Sequence, residues 1–494
     1  MRRKRRPLEV ALPLFGLLLS FVASAQAGQK RPNILFCIAD DWGWPHASAY
    51  KNDTVVQTPA FDRIAREGAL FHHAYVPSPS CTPCRNAVMT GQWHWKLGAG
   101  ANLNGTLPQD VETFSRLLED AGYHTGHWRK SFGPGKLEGK FLDRHPAGPR
   151  YKGGFWKFME ARPSDDTPFC FWLGAYDPHR GYKKGLWKEE GMDPSQINLF
   201  PHFPDTKKVR EDVADYYFEV QRFDNDVARV LDYLEDLGEL QNTLVIITGD
   251  HGMPFPRAKA NLYDAGTRVP LAISWAEKIP RGQVFSNFTS LIDLAPTILE
   301  AAGAKVPWQM DGRSLLPALQ TWGDARLSPF VLTGKERHVP SQELPSWAGY
   351  PMRSYRDHDY LYIRNYEPSR YPMGSPNWQR TTFPGTWYGD TDNGPTKDEI
   401  IARKNLSEED AWLYELNFGF RPAEELYDVR KDPGQLENLA DSKPRVLAEY
   451  RAMAEHYLQQ HHDPRHTGTP FPFDEQPYEG GGPKHPNYKP VTKR

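Results

Sequence analysis

Three apolar runs in this chain each end at a cluster of polar residues, and this arrangement limits the fold more than any other feature. The runs cover residues 33–39, 169–176 and 243–248. Continuous apolar runs of this length are typical of strands that are buried on both faces of a parallel sheet. Ligands in open α/β sheets bind beyond the carboxyl ends of the strands, so we expect the polar clusters to converge. The clusters are Asp40-Asp41, Asp177-Pro178-His179-Arg180 and Gly249-Asp250-His251.

Predicted helices separate the apolar runs. The first covers residues 60–66, with Pro59 at its first turn and Gly68 after its end. Further helices are predicted over residues 111–121 and 209–237, and short strands over 70–76 and 124–127. This alternation of strands and helices predicts an α/β fold in which helices flank a large, mixed but mostly parallel sheet.

The character of the sequence changes after about residue 345, where aromatic and charged segments replace the alternating pattern. We predict a catalytic domain over residues 28–345, a smaller C-terminal α+β subdomain over 346–465 and an extended tail over 466–494. The tail is rich in Pro, Gly and Lys and lacks periodicity. We therefore expect it to wrap the surface or to stay mobile.

The first 27 residues have the pattern of a secretory signal peptide. A basic segment over residues 1–6 precedes an apolar run over 10–22 and the small-residue cleavage pattern Ala25-Gln26-Ala27. An uncleaved membrane anchor is the weaker alternative, because the run is shorter than the about 20 residues that a spanning helix needs. The pattern predicts export to a periplasm, to the cell exterior or, in a eukaryote, to a lysosome.

Composition excludes several classes of protein. The chain has 494 residues, of which 39% are hydrophobic and 25% charged, and this excludes a polytopic membrane protein and a low-complexity disordered chain. A formal net charge of −2 gives no reason to expect a nucleic-acid partner. Four cysteines in a chain of this length exclude a disulfide-stapled scaffold.

The segment Cys81-Thr82-Pro83-Cys84-Arg85 allows several interpretations. A C-x-x-C pair can be a redox site or half of a zinc site. The zinc interpretation lacks a second pair of ligands, since Cys37 and Cys170 both lie inside apolar runs. Two unreactive cysteines near a helix start are the third possibility.

The same segment resembles the signature of the sulfatase family, Cys-x-Pro-x-Arg, in which the cysteine is oxidised to formylglycine. The resemblance continues in the strand that ends at Asp40-Asp41 and in the later strand that ends at Asp250-His251. Residues 252–263 and the segment Asp177-Pro178-His179-Arg180 resemble the heparan N-sulfatase branch of the family. The likeness extends from residue 32 to about residue 460 and implies the alkaline phosphatase-like fold.

The resemblance implies a metal site. Asp40, Asp41 and Asp250 supply carboxylate oxygens, and His251 and the hydrate formed from Cys81 complete the ligands. Carboxylates suit a hard cation, and the family implies one Ca²⁺ per chain, with Mg²⁺ as the alternative. An imidazole is an unusual ligand for such an ion, so His251 can instead lie beside the ligands.

The resemblance also implies the catalytic roles. The formylglycine hydrate from Cys81 is the nucleophile, Asp250 accepts its proton, and Arg85 holds the hydrate or a sulfate oxygen. Lys130 and Lys259 contact sulfate oxygens.

The segment after Lys130 departs from the family pattern. Ser131-Phe132 stands where many relatives have Trp-His, so a histidine near the leaving group is missing. His179 is then the expected general acid.

Substrate contacts are expected from two clusters. Asp177 and Arg180 flank His179, while Glu336, Arg337 and His338 follow the predicted strand over residues 328–333. A solvated surface is an equal alternative for the second cluster.

Our hypothesis is hydrolysis of sulfate from sulfated glycans, with the N-sulfate of glucosamine in heparan- or heparin-type saccharides as the preferred target. The implied partners are the sulfated saccharide and a formylglycine-generating or sulfatase-maturating enzyme. An O-sulfatase or arylsulfatase, or a phosphonate or phosphate-ester hydrolase, is the enzymatic alternative. If Cys81 stays unmodified, the alternative is a silent glycan-binding protein.

Overall fold

The first apolar run forms strand β1, Asn33–Ala39, and every residue of this strand is buried. The computed structural model describes residues 30–468 and 471–490. The predicted signal peptide over residues 1–27 lies outside the described residues. Beyond β1, the sheets contain β2 Ala69–Tyr75, β3 His124–Trp128, β4 Phe169–Gly174, β5 Thr243–Gly249, β6 Arg268–Ser274, β7 Gln283–Ser290, β8 Phe330–Lys335, β9 Met352–Asp357, β10 Tyr360–Asn365 and β11 Glu424–Asp428.

Helices connect these strands. They are α1 Pro59–Glu67, α2 Cys81–Thr90, α3 Phe114–Asp120, α4 Lys140–Asp143, α5 Gly154–Glu160, α6 Lys207–Asp236, α7 Asp264–Thr267, α8 Leu294–Ala301, α9 Leu316–Thr321, α10 Pro395–Arg403, α11 Glu408–Phe418 and α12 Pro444–Gln460. The predicted helix over residues 111–121 begins later than expected, because Thr113 has an extended backbone and precedes its first turn. In the part of the chain that the structure describes, no helix is both long and apolar enough to cross a membrane.

The larger sheet has seven strands in the order β3-β4-β1-β5-β6-β2-β7. The pairs β3/β4, β4/β1, β1/β5 and β2/β7 are parallel, and β6 runs antiparallel to both of its neighbours. The three apolar runs are therefore adjacent parallel strands in the order β4-β1-β5. Their carboxyl ends meet at one edge of the sheet, and the predicted α/β class is confirmed.

Both faces of this sheet are covered, which explains why β1 is apolar throughout. Alternate residues of a strand point to opposite faces. Leu35 and Cys37 belong to the hydrophobic cluster that contains α1, α5 and α6, whereas Ile34, Phe36 and Ile38 belong to the cluster that contains α2, α3 and α8. Helices on both faces hold β1 and β5 in place. The polar residues that follow the carboxyl ends of these strands form what we call the polar edge of the sheet.

A second, antiparallel sheet has the order β11-β10-β9-β8. Helix α12 packs on it through Tyr450, Ala454 and Leu458, which share a cluster with Tyr355 of β9 and Tyr362 of β10. The predicted domain boundary near residue 345 falls between β8 and β9 of this one sheet, and the division into domains stays a prediction. The described residues from Arg31 onward form one compact unit.

Candidate active site

Three carboxylates meet at the polar edge, where β1 and β5 end. The backbone N–H of Asp41 donates to Asp250 Oδ1 over 2.9 Å, and the N–H of Asp250 donates to Ala39 O over 3.2 Å. Asp41 has a φ of 70°, in the left-handed region that aspartate tolerates better than most residues. Adjacent parallel strands thus bring Asp40, Asp41 and Asp250 together, and all three are buried.

Helix α2 brings Cys81 and Arg85 to these carboxylates. Cys81 is the first residue of the helix, and its Sγ lies 3.2 Å from His251 Nε2 and 3.7 Å from Asp40 Oδ1. Arg85 lies one turn further along, and its Nε donates to Asp250 Oδ2 over 2.7 Å. All ten residues of α2 are buried, so the guanidinium is held inside the protein by its carboxylate partner.

Two lysines also pair with the carboxylates of this cluster. Lys130, which follows β3, donates from Nζ to Asp40 Oδ1. Lys259 Nζ lies 2.9 Å from Asp41 Oδ2 and 2.9 Å from Asp392 Oδ2. Burial opposes the charged form of each lysine, yet the neighbouring carboxylates raise both pKa values above the usual range.

The same charges act on Asp250. Burial alone would raise the pKa of this carboxyl, but His251, Arg85 and Lys130 lower it below its usual value. Both of its oxygens accept hydrogen bonds, one from Arg85 and one from the backbone of Asp41. Proton acceptance by Asp250 therefore has to compete with these contacts.

The donor atoms of this cluster fit a divalent cation. One potential ligand atom from each of Asp40, Asp41, Cys81 and His251 lies within 4.8 Å of the others. Asp41 Oδ1 is buried, accepts no hydrogen bond within the described residues and lies 3.2 Å from His251 Nε2. A buried carboxylate oxygen without a donor is costly unless a cation compensates it. A divalent cation held by Asp40, Asp41 and His251 would supply that compensation, and carboxylate oxygens are the ligands that Ca²⁺ and Mg²⁺ prefer.

Cys84 takes no part in this cluster. It is fully buried, and burial raises the pKa of its thiol well above the usual value. All four cysteines are free thiols, so Cys81 and Cys84 do not form a disulfide. The redox and zinc interpretations of the C-x-x-C pair gain no support from this arrangement.

A cavity of about 460 Å³ opens over Cys81. His179, which follows β4, lies in its wall with its side chain 35% exposed and its Nε2 3.9 Å from Asp41 Oδ2. Lys130 and Lys259 also reach the wall. A pocket of this size suits a small ligand, and its lining combines two lysines, two histidines and Cys81.

Of the four residues predicted to contact the substrate, two, Arg180 and His338, lie in the wall of the cavity. Arg180 lines the cavity, but both of its Nη atoms donate to Asp212 over 2.8 Å. His338 also lines the cavity, and its Nδ1 lies 2.8 Å from Ser80 Oγ, next to Cys81. Burial lowers the pKa of His338 to about 3, so this side chain is neutral at neutral pH.

The other two lie outside this cavity. Asp177 lines an adjoining groove, with its carboxylate 3.5 Å from Arg222. Glu336 is buried in ion pairs with Arg353 and Arg465, and it lines neither the cavity nor the groove. Arg337 points away as well, and it donates to backbone carbonyls of residues 474–477.

Two parts of the cavity were missed by sequence reasoning. Asp392 lies in its wall and pairs with Lys259, although its loop follows no predicted strand. The only signal was the pair of acids in the sequence Gly389-Asp390-Thr391-Asp392. Residues 481–483 of the predicted tail also line the cavity, and the N–H of Trp387 donates to Pro483 O over 3.0 Å. Because the tail makes this contact through a backbone carbonyl, no pattern of side chains in its sequence indicates the contact.

Comparison with known proteins gives one consistent family. The family model described as Sulfatase matches residues 32–304. The chain is 32% identical over 466 residues to N-sulphoglucosamine sulphohydrolase of Homo sapiens, covering 83% of this chain and 86% of that protein. It is 26% identical over 430 residues to N-acetylglucosamine-6-O-sulfatase of Bacteroides thetaiotaomicron, covering 65% of this chain and 76% of the relative.

The fold has solved counterparts. One is the structure of a protein in complex with its substrate D-glucosamine-2-N,6-O-disulfate, with a TM-score of 0.60 and 20% sequence identity. The alignment covers 88% of this chain and 99% of that one. This likeness confirms the predicted fold, while the family model and the human relative identify the family. The chain belongs to the sulfatases, enzymes that hydrolyse sulfate esters and sulfamates.

Proposed function

We propose that this sulfatase acts on sulfated glycans and that its preferred target is the N-sulfate of glucosamine at a non-reducing end, in heparan- or heparin-type saccharides. The position of Cys81 carries the proposal. Cys81 lies at the wall of the cavity, beside the carboxylates that fit a metal ion, and two lysines that can hold an anion line the same cavity. The name of the human relative supports the choice of a sulfamate.

The chemistry requires a strong nucleophile and charge neutralisation, because a sulfate group repels nucleophiles. Formylglycine made from Cys81 would add water, and one hydroxyl of this hydrate would be the nucleophile, while a divalent ion, for which we propose Ca²⁺, would neutralise sulfate oxygens. Arg85 holds the carboxylate of Asp250 in place across the site. Lys130 and Lys259 lie on the cavity wall, where their ammonium groups can bind the remaining sulfate oxygens.

His179 supplies the proton for the leaving amine in this proposal. Its side chain is the partly exposed histidine of the cavity wall, whereas His338 is buried and neutral. Phe132 occupies the position where many relatives have a histidine, and it lines the adjoining groove. A single histidine would therefore carry proton donation.

We further propose that the protein is exported and that a maturating enzyme converts Cys81 before the sulfatase acts. The pattern over residues 1–27 supports export. The segment Cys81-Thr82-Pro83-Cys84-Arg85 supports conversion at Cys81, since Pro83 and Arg85 have the family's spacing from that residue only.

An O-sulfatase is the second candidate function, because the chain also resembles an N-acetylglucosamine-6-O-sulfatase. Sulfate release should be compared for N-sulfoglucosamine, glucosamine 6-sulfate and an aryl sulfate. We expect kcat/KM to be highest for N-sulfoglucosamine, by about 10-fold or more, since one well-placed polar contact discriminates on that scale. A higher kcat/KM for the 6-sulfate would instead identify an O-sulfatase.

Replacement of the nucleophile tests the role of Cys81. We expect Cys81→Ala to lower kcat by at least about 10³-fold, the scale seen when a catalytic nucleophile is removed, while the melting temperature stays close to that of the wild type. Cys84→Ala is the matched control and should remain active. Mass spectrometry of the peptide around Cys81 should find an aldehyde at this residue and a thiol at Cys84. Substantial turnover by Cys81→Ala would refute the proposed nucleophile.

Removal of the metal tests the carboxylate cluster. Chelation should abolish turnover and lower the melting temperature, because the ion compensates buried carboxylates and binds only the folded state. At a free metal concentration of 100 times Kd, the added stability is about 2.7 kcal/mol. Asp41→Asn should lose this metal-dependent stabilisation, whereas Asp232→Asn, on the exposed side of α6, should keep it. Active protein that contains no divalent ion by elemental analysis would contradict the metal site.

Leaving groups of different basicity test His179. We expect His179→Ala to lower turnover of a sugar sulfamate by about 10²- to 10⁴-fold, since a basic amine needs a proton to depart. An activated aryl sulfate should be much less affected. His456→Ala, on the exposed face of α12, serves as the control variant. An equal loss on both substrates would assign His179 to the geometry of the site rather than to proton donation.

A further inference from the structure

A groove of about 780 Å³ adjoins the cavity that contains Cys81. The two spaces share a wall, formed by Lys130, Pro134, His179, Arg180 and Gly181. A ligand in the cavity can therefore continue past His179 into the groove. The groove is the larger of the two and has room for a further saccharide unit.

The groove contains one cation that no neighbouring carboxylate neutralises. Arg129 pairs with Asp226 over 2.7 Å, Arg180 pairs with Asp212, and Lys130 pairs with Asp40. Among the described residues, Arg150 makes no ion pair and no side-chain hydrogen bond, and it is exposed at the groove. Its guanidinium is free to bind an anion through two parallel N–H groups.

His179 lies 3.9 Å from Asp41 Oδ2, and the remaining groups of the groove are neutral or already paired. The rings of His127 and His145 stack at 4.2 Å, and His127 Nδ1 donates to Gly148 O over 2.8 Å. Burial lowers their pKa values to about 4 and about 3, so neither adds charge at neutral pH. Among the acids, Asp40 pairs with Lys130 and Asp177 lies 3.5 Å from Arg222. The unpaired charge in the groove is that of Arg150.

Tyr176 adds an apolar surface to the same groove. It is 52% exposed, although large aromatic side chains bury well in a core. An exposed aromatic ring and a guanidinium in one groove suit a ligand that has both an apolar ring face and an anionic group. A saccharide unit with a carboxylate or sulfate has this combination.

We propose that the groove binds the saccharide unit next to the one that loses its sulfate, and that Arg150 selects units that carry an anionic group. The inference rests on the proposed function for the identity of the unit in the cavity. It names a specificity residue outside the catalytic cluster, because Arg150 lines the groove and does not line the cavity.

Binding tests the groove independently of turnover. The full-length protein is titrated calorimetrically with the unsulfated disaccharide glucosamine–hexuronate, with its carboxyl-reduced form, and with a reduced form that carries one O-sulfate. We expect the hexuronate form to bind about 10-fold more tightly than the reduced form, the scale of one charged hydrogen-bonded contact. Recovery of affinity with the O-sulfated form would show that any anion suffices, and no recovery would limit the groove to carboxylates.

Variants connect this preference to Arg150. Arg150→Ala should bind the hexuronate and reduced disaccharides equally, and Arg150→Lys should keep part of the preference because it keeps the charge without the planar fork. Arg281→Ala, at another exposed arginine, should behave as wild type. Turnover of N-sulfoglucosamine alone should stay within about twofold in all variants, since one exposed side chain outside the cavity changes little.

Two results would overturn the inference. One is equal binding of the hexuronate and reduced disaccharides to the wild type, and the other is a preference that survives in Arg150→Ala. Failure of the proposed function gives a different result, namely absence of sulfate release from N-sulfoglucosamine while the binding preference remains.

Discussion

The compensation of buried charge beyond β1 and β5 is the interaction on which the rest of the site depends. Asp40, Asp41 and Asp250 are buried together, and a buried carboxylate without a partner costs several kcal/mol. The partners come from distant parts of the chain: Arg85 from α2, Lys130 from the end of β3, and Lys259 from the segment after β5. The balance of charge therefore also fixes these segments relative to one another and places Cys81 at the cavity.

His179 lies in the wall shared by the cavity and the groove. This position suits the proton donation to the leaving group that we propose for it. Lys130 lies in the same shared wall, and its partner Asp40 lines the groove. The bond that breaks during sulfate release lies between the sulfur and the leaving group. A proton donor in this wall would be close to the leaving group of a substrate that extends from the cavity into the groove.

The sequence was sufficient to predict the sheet edge because a buried parallel strand must end where polar residues begin. Asp40, Asp41, His179 and Asp250 follow such strands and lie together as expected. The same rule did not bring Glu336 to the cavity. It follows β8 of the antiparallel sheet, where Arg353 of the neighbouring strand and Arg465 take up its charge. Polar residues after a strand indicate its end but not the direction in which each side chain points.

Asp392 and residues 481–483 could not be predicted for a related reason. Asp392 pairs with Lys259 and lies near Asp41 and His179, and the pairing with Lys259 joins two loops that are remote in sequence. Lys397 supports the loop by donating to the carbonyls of Trp387 and Thr391. Contacts to backbone carbonyls are independent of the side chain at the acceptor residue, so they produce neither a motif nor a periodicity.

The burial of Cys81 has a consequence for the order of events during biosynthesis. In the folded protein this side chain is only 3% exposed, and residues 481–483 form part of the wall in front of it. The enzyme that we propose to convert Cys81 would have to reach this side chain. On a nascent chain that has been made only as far as α2, Cys81 is within reach, and the wall does not yet exist. Any enzymatic conversion of this cysteine therefore competes in time with folding, and a chain that folds first keeps its thiol.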